Sequence, residues 1–133
     1  MKKKALVIAA SFYISSCVPP ESPSSADVYF RPFEATSIFR LDESAMVTSA
    51  GSEFHINDKP RLERILSIVD APCQSSSHLI KDMDLRLLIY FNSSSGRTTW
   101  KASRFDYYNG FTGKVCAMTP ALMVALSKEF SDA

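Results

Sequence analysis

Residues 97–111, RTTWKASRFDYYNGF, set Arg97, Lys101 and Arg104 among Trp100, Tyr107 and Tyr108. Tryptophan, tyrosine and arginine are the side chains enriched at binding hot spots, because each offers a large rigid contact area with a polar end. The same mixture can stack on sugar rings or meet an anionic polymer. These six residues are therefore the expected recognition surface. A strand through this stretch alternates its side chains. Trp100, Ala102 and Arg104 then share one face, and Lys101, Ser103 and Phe105 the other. One of those faces has to be core, so part of the patch is structural.

Catalytic chemistry has weaker candidates. A hydrolase needs a nucleophile, a base and an orienting group. The serine runs Ser75–Ser77 and Ser93–Ser95 lie in loop-like stretches without a G-x-S-x-G elbow. His78 near Lys81, Asp82 and Asp84 suggests an acid–base or metal cluster, but nothing adjacent completes a ligand set. His55, in EFHIND, precedes a helix cap and reads as a local hydrogen-bonding residue. Glu53 with Asp58, and Asp82 with Asp84, are carboxylate pairs without a glycosidase signal. With four glycines and no G-x-x-x-x-G-K, a phosphate loop is absent. The expectation is a non-enzymatic protein without metal or cofactor.

The three cysteines divide by position. Lys2, Lys3 and Lys4 open the chain, Ala5–Ile14 form a mostly apolar segment, and Ser15 and Ser16 precede Cys17. A basic start, an apolar core of about 7–15 residues and small residues at a cleavage site make a secretory signal. The core is too short to span a bilayer, which takes roughly 20 apolar residues. Ile14-Ser15-Ser16-Cys17 resembles the lipobox of bacterial lipoproteins, with isoleucine where leucine is usual. The resemblance covers the leader alone. It implies cleavage before Cys17, a diacylglyceryl group on its sulfur and an acyl chain (palmitate-type) on the new amino terminus. It also implies outer-membrane placement facing the periplasm, since Val18 stands where an aspartate would favour inner-membrane retention. Two or more acyl chains anchor a protein stably, whereas one does so marginally.

Cys73 and Cys116 remain as a pair, and two cysteines in an exported chain most simply form a disulfide. Zinc lacks companions: there is no CxxC, and neither His55 nor His78 stands at ligand spacing. Residues 1–16 are then the signal peptide and 17–26 a lipidated cysteine with a Pro/Ser tether, VPPESPSSA, that has little to bury. Residues 27–133 form a single domain, within the size range of one core. The 15 basic and 14 acidic residues give +1. Without Lys2–Lys4 the balance is 12 against 14, or −2, which offers nucleic acid no electrostatic footprint.

The elements that position these residues follow from pattern. Asp27–Leu41, with Phe30, Phe33, Ile38 and Phe39, reads as one or two strands, Pro32 forcing an edge or bulge. Met46–Ser49 and Glu53–Ile56 read as short strands around Gly51. Asn57 or Asp58 caps a helix with Pro60 in its first turn and Leu62, Ile65, Leu66 and Val69 on one face. Asp84–Phe91, Arg97–Phe105 and Lys114–Met118 form a three-strand meander, and Thr119-Pro120 opens a helix striped by Leu122, Met123, Leu126 and Phe130. The expected fold is α+β, an antiparallel sheet of about 4–6 strands with two helices on one face.

The function expected is a cell-envelope lipoprotein that binds a protein, or a glycan, as an inhibitor or immunity-like module or an accessory subunit. A glycan- or peptidoglycan-acting enzyme and a purely structural lipoprotein are the alternatives.

Overall fold

The computed structural model describes residues 22–131. Cys17, the leader and the first part of the tether lie outside the described residues. The chain runs β1 (Ser25–Phe30), α1 (Glu43–Ser49), β2 (Ser52–Ile56), α2 (Lys59–Val69), β3 (Leu87–Ser93), β4 (Gly96–Ala102), β5 (Asp106–Asn109), β6 (Lys114–Ala117) and α3 (Pro120–Phe130). All six strands join one antiparallel sheet in the order β2-β1-β3-β4-β5-β6. The α+β class holds. The meander has four strands, and β1 is an interior strand between β2 and β3.

Both long helices begin with the signals read from the sequence. The Asp58 side chain accepts from the Arg61 N–H, and Leu62, Ile65 and Val69 turn inward. Thr119 accepts from the Leu122 N–H, and Leu122, Leu126 and Phe130 are buried. Capping of this kind contributes about 1 kcal/mol per helix. Together α2 and α3 cover one face of the sheet, over Val28, Phe30, Ile89, Phe91, Trp100 and Tyr107. The Cys73–Cys116 disulfide joins the segment after α2 to β6, with Cα atoms 5.2 Å apart at a sequence separation of 43. Closing a loop of that length contributes roughly 3–4 kcal/mol in the chain-entropy picture.

The opposite face has its own smaller core of Leu41, Met46, Met83, Leu85 and Leu88. Here two expectations are corrected. Met46–Ser49 is not a strand but part of α1, capped by Asp42 accepting from the Ala45 N–H. Only Met46 of this short helix is buried, so its one anchoring residue leaves no helical period to read. The expected strand over Asp27–Leu41 ends at Phe30, ahead of Pro32, and residues 31–42 become a loop. Gly110 is required by packing: a Cβ there would collide with the carbonyl oxygen of Thr99, to which its own N–H donates at 2.9 Å.

Candidate functional site

The strand register defines two ends. Phe30 pairs with Ser52 and Leu87, Leu87 with Ala102, and Asp106 with Ala117. The loop 31–42 and the turn 103–105 lie at that end, and the connection 70–86, which starts beside Asn109 and Thr112 at the other end, arrives there along β6. Ser25, paired with Asn92, marks the other end, about 17 Å away at the usual rise per strand residue.

Among the described residues, five of the eight exposed large hydrophobic residues lie in those three segments: Ile38 at 93%, Phe39 at 78%, Leu79, Ile80 and Phe105 at 66%. Single exposed apolar residues are ordinary, but a concentration of them marks an interaction surface. The segments are tied together. Leu41 N–H donates to Asp84 Oδ1 at 2.8 Å, Leu85 N–H to the Leu41 carbonyl at 2.9 Å, and Arg40 faces Asp82 at 3.7 Å.

Arg86 holds this arrangement from inside. It is 1% exposed, and its guanidinium donates to the carbonyls of Ala35 and Leu85 while facing Asp84 at 3.0 Å. A buried guanidinium is tolerated only when its donors are met. Burial alone would raise the Asp84 carboxyl, but Arg86, the Leu41 N–H and the Arg104 charge outweigh it and hold it below the ordinary range.

Beside this frame, His78 Nδ1 lies 2.7 Å from Asp106 Oδ2, and the Ser76 hydroxyl donates to Asp106 Oδ1. Asp106 is 5% exposed, whereas the His78 ring is largely exposed. An Nδ1–H donated to this carboxylate would orient the ring, as carboxylates orient histidine bases. Ser76 stands on the wrong side to be its nucleophile, because it bonds Asp106 and reaches Nδ1 rather than Nε2. His78, Asp106, Arg104 and Phe105 line a cavity of about 200 Å³ with Asp82 and Asp84. No group of three or more metal-ligating side chains stands among the described residues.

The six residues of the expected aromatic–basic patch do not share a surface. Trp100 and Tyr107 are buried, their rings stacked 5.1 Å apart at 21° in the main core. Strand alternation turns Lys101 and Tyr108 to the other face, where Lys101 Nζ meets Glu43 Oε2 at 2.7 Å and Tyr108 packs half-buried. Arg97 lies over the Tyr90 ring at 4.2 Å near the far end of β4, and Arg104 is exposed in the turn at the apolar end. Of the six, only Arg104 belongs to the loop cluster. Asp106 and Arg86 are not among the candidates the sequence offers, and Ser76, from the serine run 75–77, anchors Asp106 instead of acting as a nucleophile. One signal was available for Arg86: a lone arginine within the apolar run DLRLLIYF.

Comparison with protein-family models, curated proteins and solved structures returned no match. His55 lies apart from the loop cluster. It pairs with Asp27 at 2.7 Å at the opposite end of the sheet, and Asn92 donates to the same aspartate at 3.0 Å. Burial would raise the Asp27 carboxyl, but these bonds overcome it and lower it.

Proposed function

We propose that this protein is a lipid-anchored binding module of the bacterial cell envelope, and that the loop end of its sheet contacts a partner protein. The observation carrying the reading is the gathering of Ile38, Phe39, Leu79, Ile80 and Phe105 on three interlocked segments. Buried Arg86 ties the loop 31–42 to residues 84–85, which limits the ordering required there on binding, and preorganisation of this kind favours affinity. Ser25 begins β1 at the opposite end, so the chain arriving from Cys17 leaves the apolar end farthest from its point of attachment. A partner beyond the anchoring leaflet suits that polarity. An inhibitor or immunity-like role and an accessory-subunit role both use such a surface.

Two measurements test the proposal. Radiolabelled palmitate enters the wild-type chain and not Cys17→Ser; equal labelling refutes the anchor. Co-purification from envelope extract loses its partner in Ile38→Asp/Phe39→Asp and keeps it in Phe111→Asp. Retention by the first variant refutes the contact surface.

A second reading, a glycan-acting hydrolase, draws on His78 and Asp106. Its nucleophile would be a water deprotonated at Nε2, since Ser76 is misplaced for attack. Turnover of peptidoglycan that His78→Gln abolishes at unchanged stability would favour it over the binding module.

A further inference from the structure

An open groove of about 940 Å³ runs between α2 and α3. Its volume falls among those of small-molecule sites, roughly 300–1,000 Å³. The floor is apolar, made by Phe54, Ile68, Ala125 and Phe130, and its rim is cationic. Arg61 and Arg64, three apart on one face of α2, both reach Glu129 of α3. Arg61 Nε donates to Oε2 at 3.0 Å, and Arg64 donates through Nε to Oε1 at 2.9 Å and through its terminal nitrogen to Oε2 at 3.0 Å. Lys128 stands on the same rim with no carboxylate partner among the described residues.

Tying two helices together needs one cation per carboxylate. Here Arg61, Arg64 and Lys128 stand against Glu129 in the groove and Asp58 at the start of α2, whose charge also acts on Arg64, leaving a surplus of one positive charge beside an apolar floor. The Glu129 carboxylate, clamped between two guanidiniums, shows the shape of anion this rim holds, since the planar fork of arginine matches carboxylate and phosphate oxygens.

We propose that the α2–α3 groove binds a single-chain anionic lipid. Its head group sits on the free donors of Arg61, Arg64 and Lys128, and its alkyl chain lies along Phe54, Ile68 and Ala125. Charge selects the ligand and the floor retains it.

Isothermal titration of the purified protein with dodecanoyl-lysophosphatidylglycerol, below its micelle concentration, tests this. Dodecanoyl-lysophosphatidylcholine and inorganic phosphate serve as comparisons. The anionic lipid is expected to bind in a saturable, one-site manner, with the zwitterionic lipid weaker by about tenfold and phosphate unable to displace it. Lys128→Glu, at an exposed and unpaired position, is expected to weaken binding by about tenfold with the melting temperature unchanged. Ala125→Asp, which places charge on the floor, should weaken it too. Equal affinity for the zwitterionic lipid, displacement by phosphate, or unchanged binding by Lys128→Glu overturns the proposal.

Discussion

The buried Arg86 guanidinium lies 3.0 Å from Asp84 Oδ1 and also donates to the Ala35 carbonyl, so one side chain joins the loop 31–42 to the connection 70–86. Both loops then project apolar side chains from a fixed frame. Arg86→Ala leaves the Ala35 and Leu85 carbonyls without this donor and Asp84 with the Leu41 N–H but no cation beside it. Breaking a buried pair by removing one partner costs about 3–5 kcal/mol, and the partial exposure of Asp84 places the expected loss at the lower end. Urea unfolding measures the loss. Amide exchange should rise in residues 34–41 and 79–85 before it rises in the sheet.

Asp106 tethers the same connection through Ser76 and His78. Asp106→Ala frees both, and a loss of about 1–3 kcal/mol is expected for unmet partners of a buried carboxylate. His78→Gln should cost less, because its ring is largely exposed. Nitrogen chemical shifts of the neutral His78 ring should report a proton on Nδ1 in the wild type and a mixed population in Asp106→Ala.

Trp100 and Tyr107 stack within the core, so their truncation acts on stability and not on recognition. Trp100→Ala and Tyr107→Ala should each cost about 3–5 kcal/mol. Arg97→Ala, at the far end of β4 and exposed, should leave stability within about 0.5 kcal/mol and partner binding unchanged.

Acid sensitivity follows from carboxylates lowered by their partners. Hydrogen bonds from Arg64 lead the lowering of Glu129, against burial and with help from Arg61. For Glu43, burial would raise the carboxyl, but Lys101 and Tyr90 outweigh it. Tyr90 in turn is pushed up to about 12, by burial and by its bond to Glu43. A lowered folded-state pKa means that the unfolded chain binds more protons in acid, so stability rises with pH there. The contribution is complete above the ordinary values of 3.8 for Asp and 4.5 for Glu and is lost as pH falls below them. The urea midpoint should therefore be flat from neutral pH down to about 5 and fall below about 4, and Glu129→Gln should flatten that fall.

Elements with strong local signals were legible. Asp58 with Pro60, and Thr119 with Pro120, announce α2 and α3, and the alternation in Leu87, Ile89 and Phe91 announces β3. Helix α1 was not, because β-branched Val47 and Thr48 favour strand while a lone Met46 anchors a single turn. Ile38 and Phe39 read as strand residues on the same grounds, although they project from a loop. The site itself is long-range. Asp106 meets Ser76 and His78 across about 30 residues, and Arg86 meets Ala35 across 51, separations that no local pattern encodes. The aromatic–basic stretch misled because composition carries no information on which face a strand residue takes. Alternation buried Trp100 and Tyr107 and left the flanking charges at opposite ends.

The central claim is that the loop end meets a partner protein. A photoreactive amino acid placed at Phe39, at Phe105 and, for comparison, at Phe111 in growing cells tests it directly. The account predicts a common crosslinked partner from Phe39 and Phe105 and none from Phe111. Absence of a crosslink at both loop positions, or equal capture of the same partner from Phe111, would contradict it.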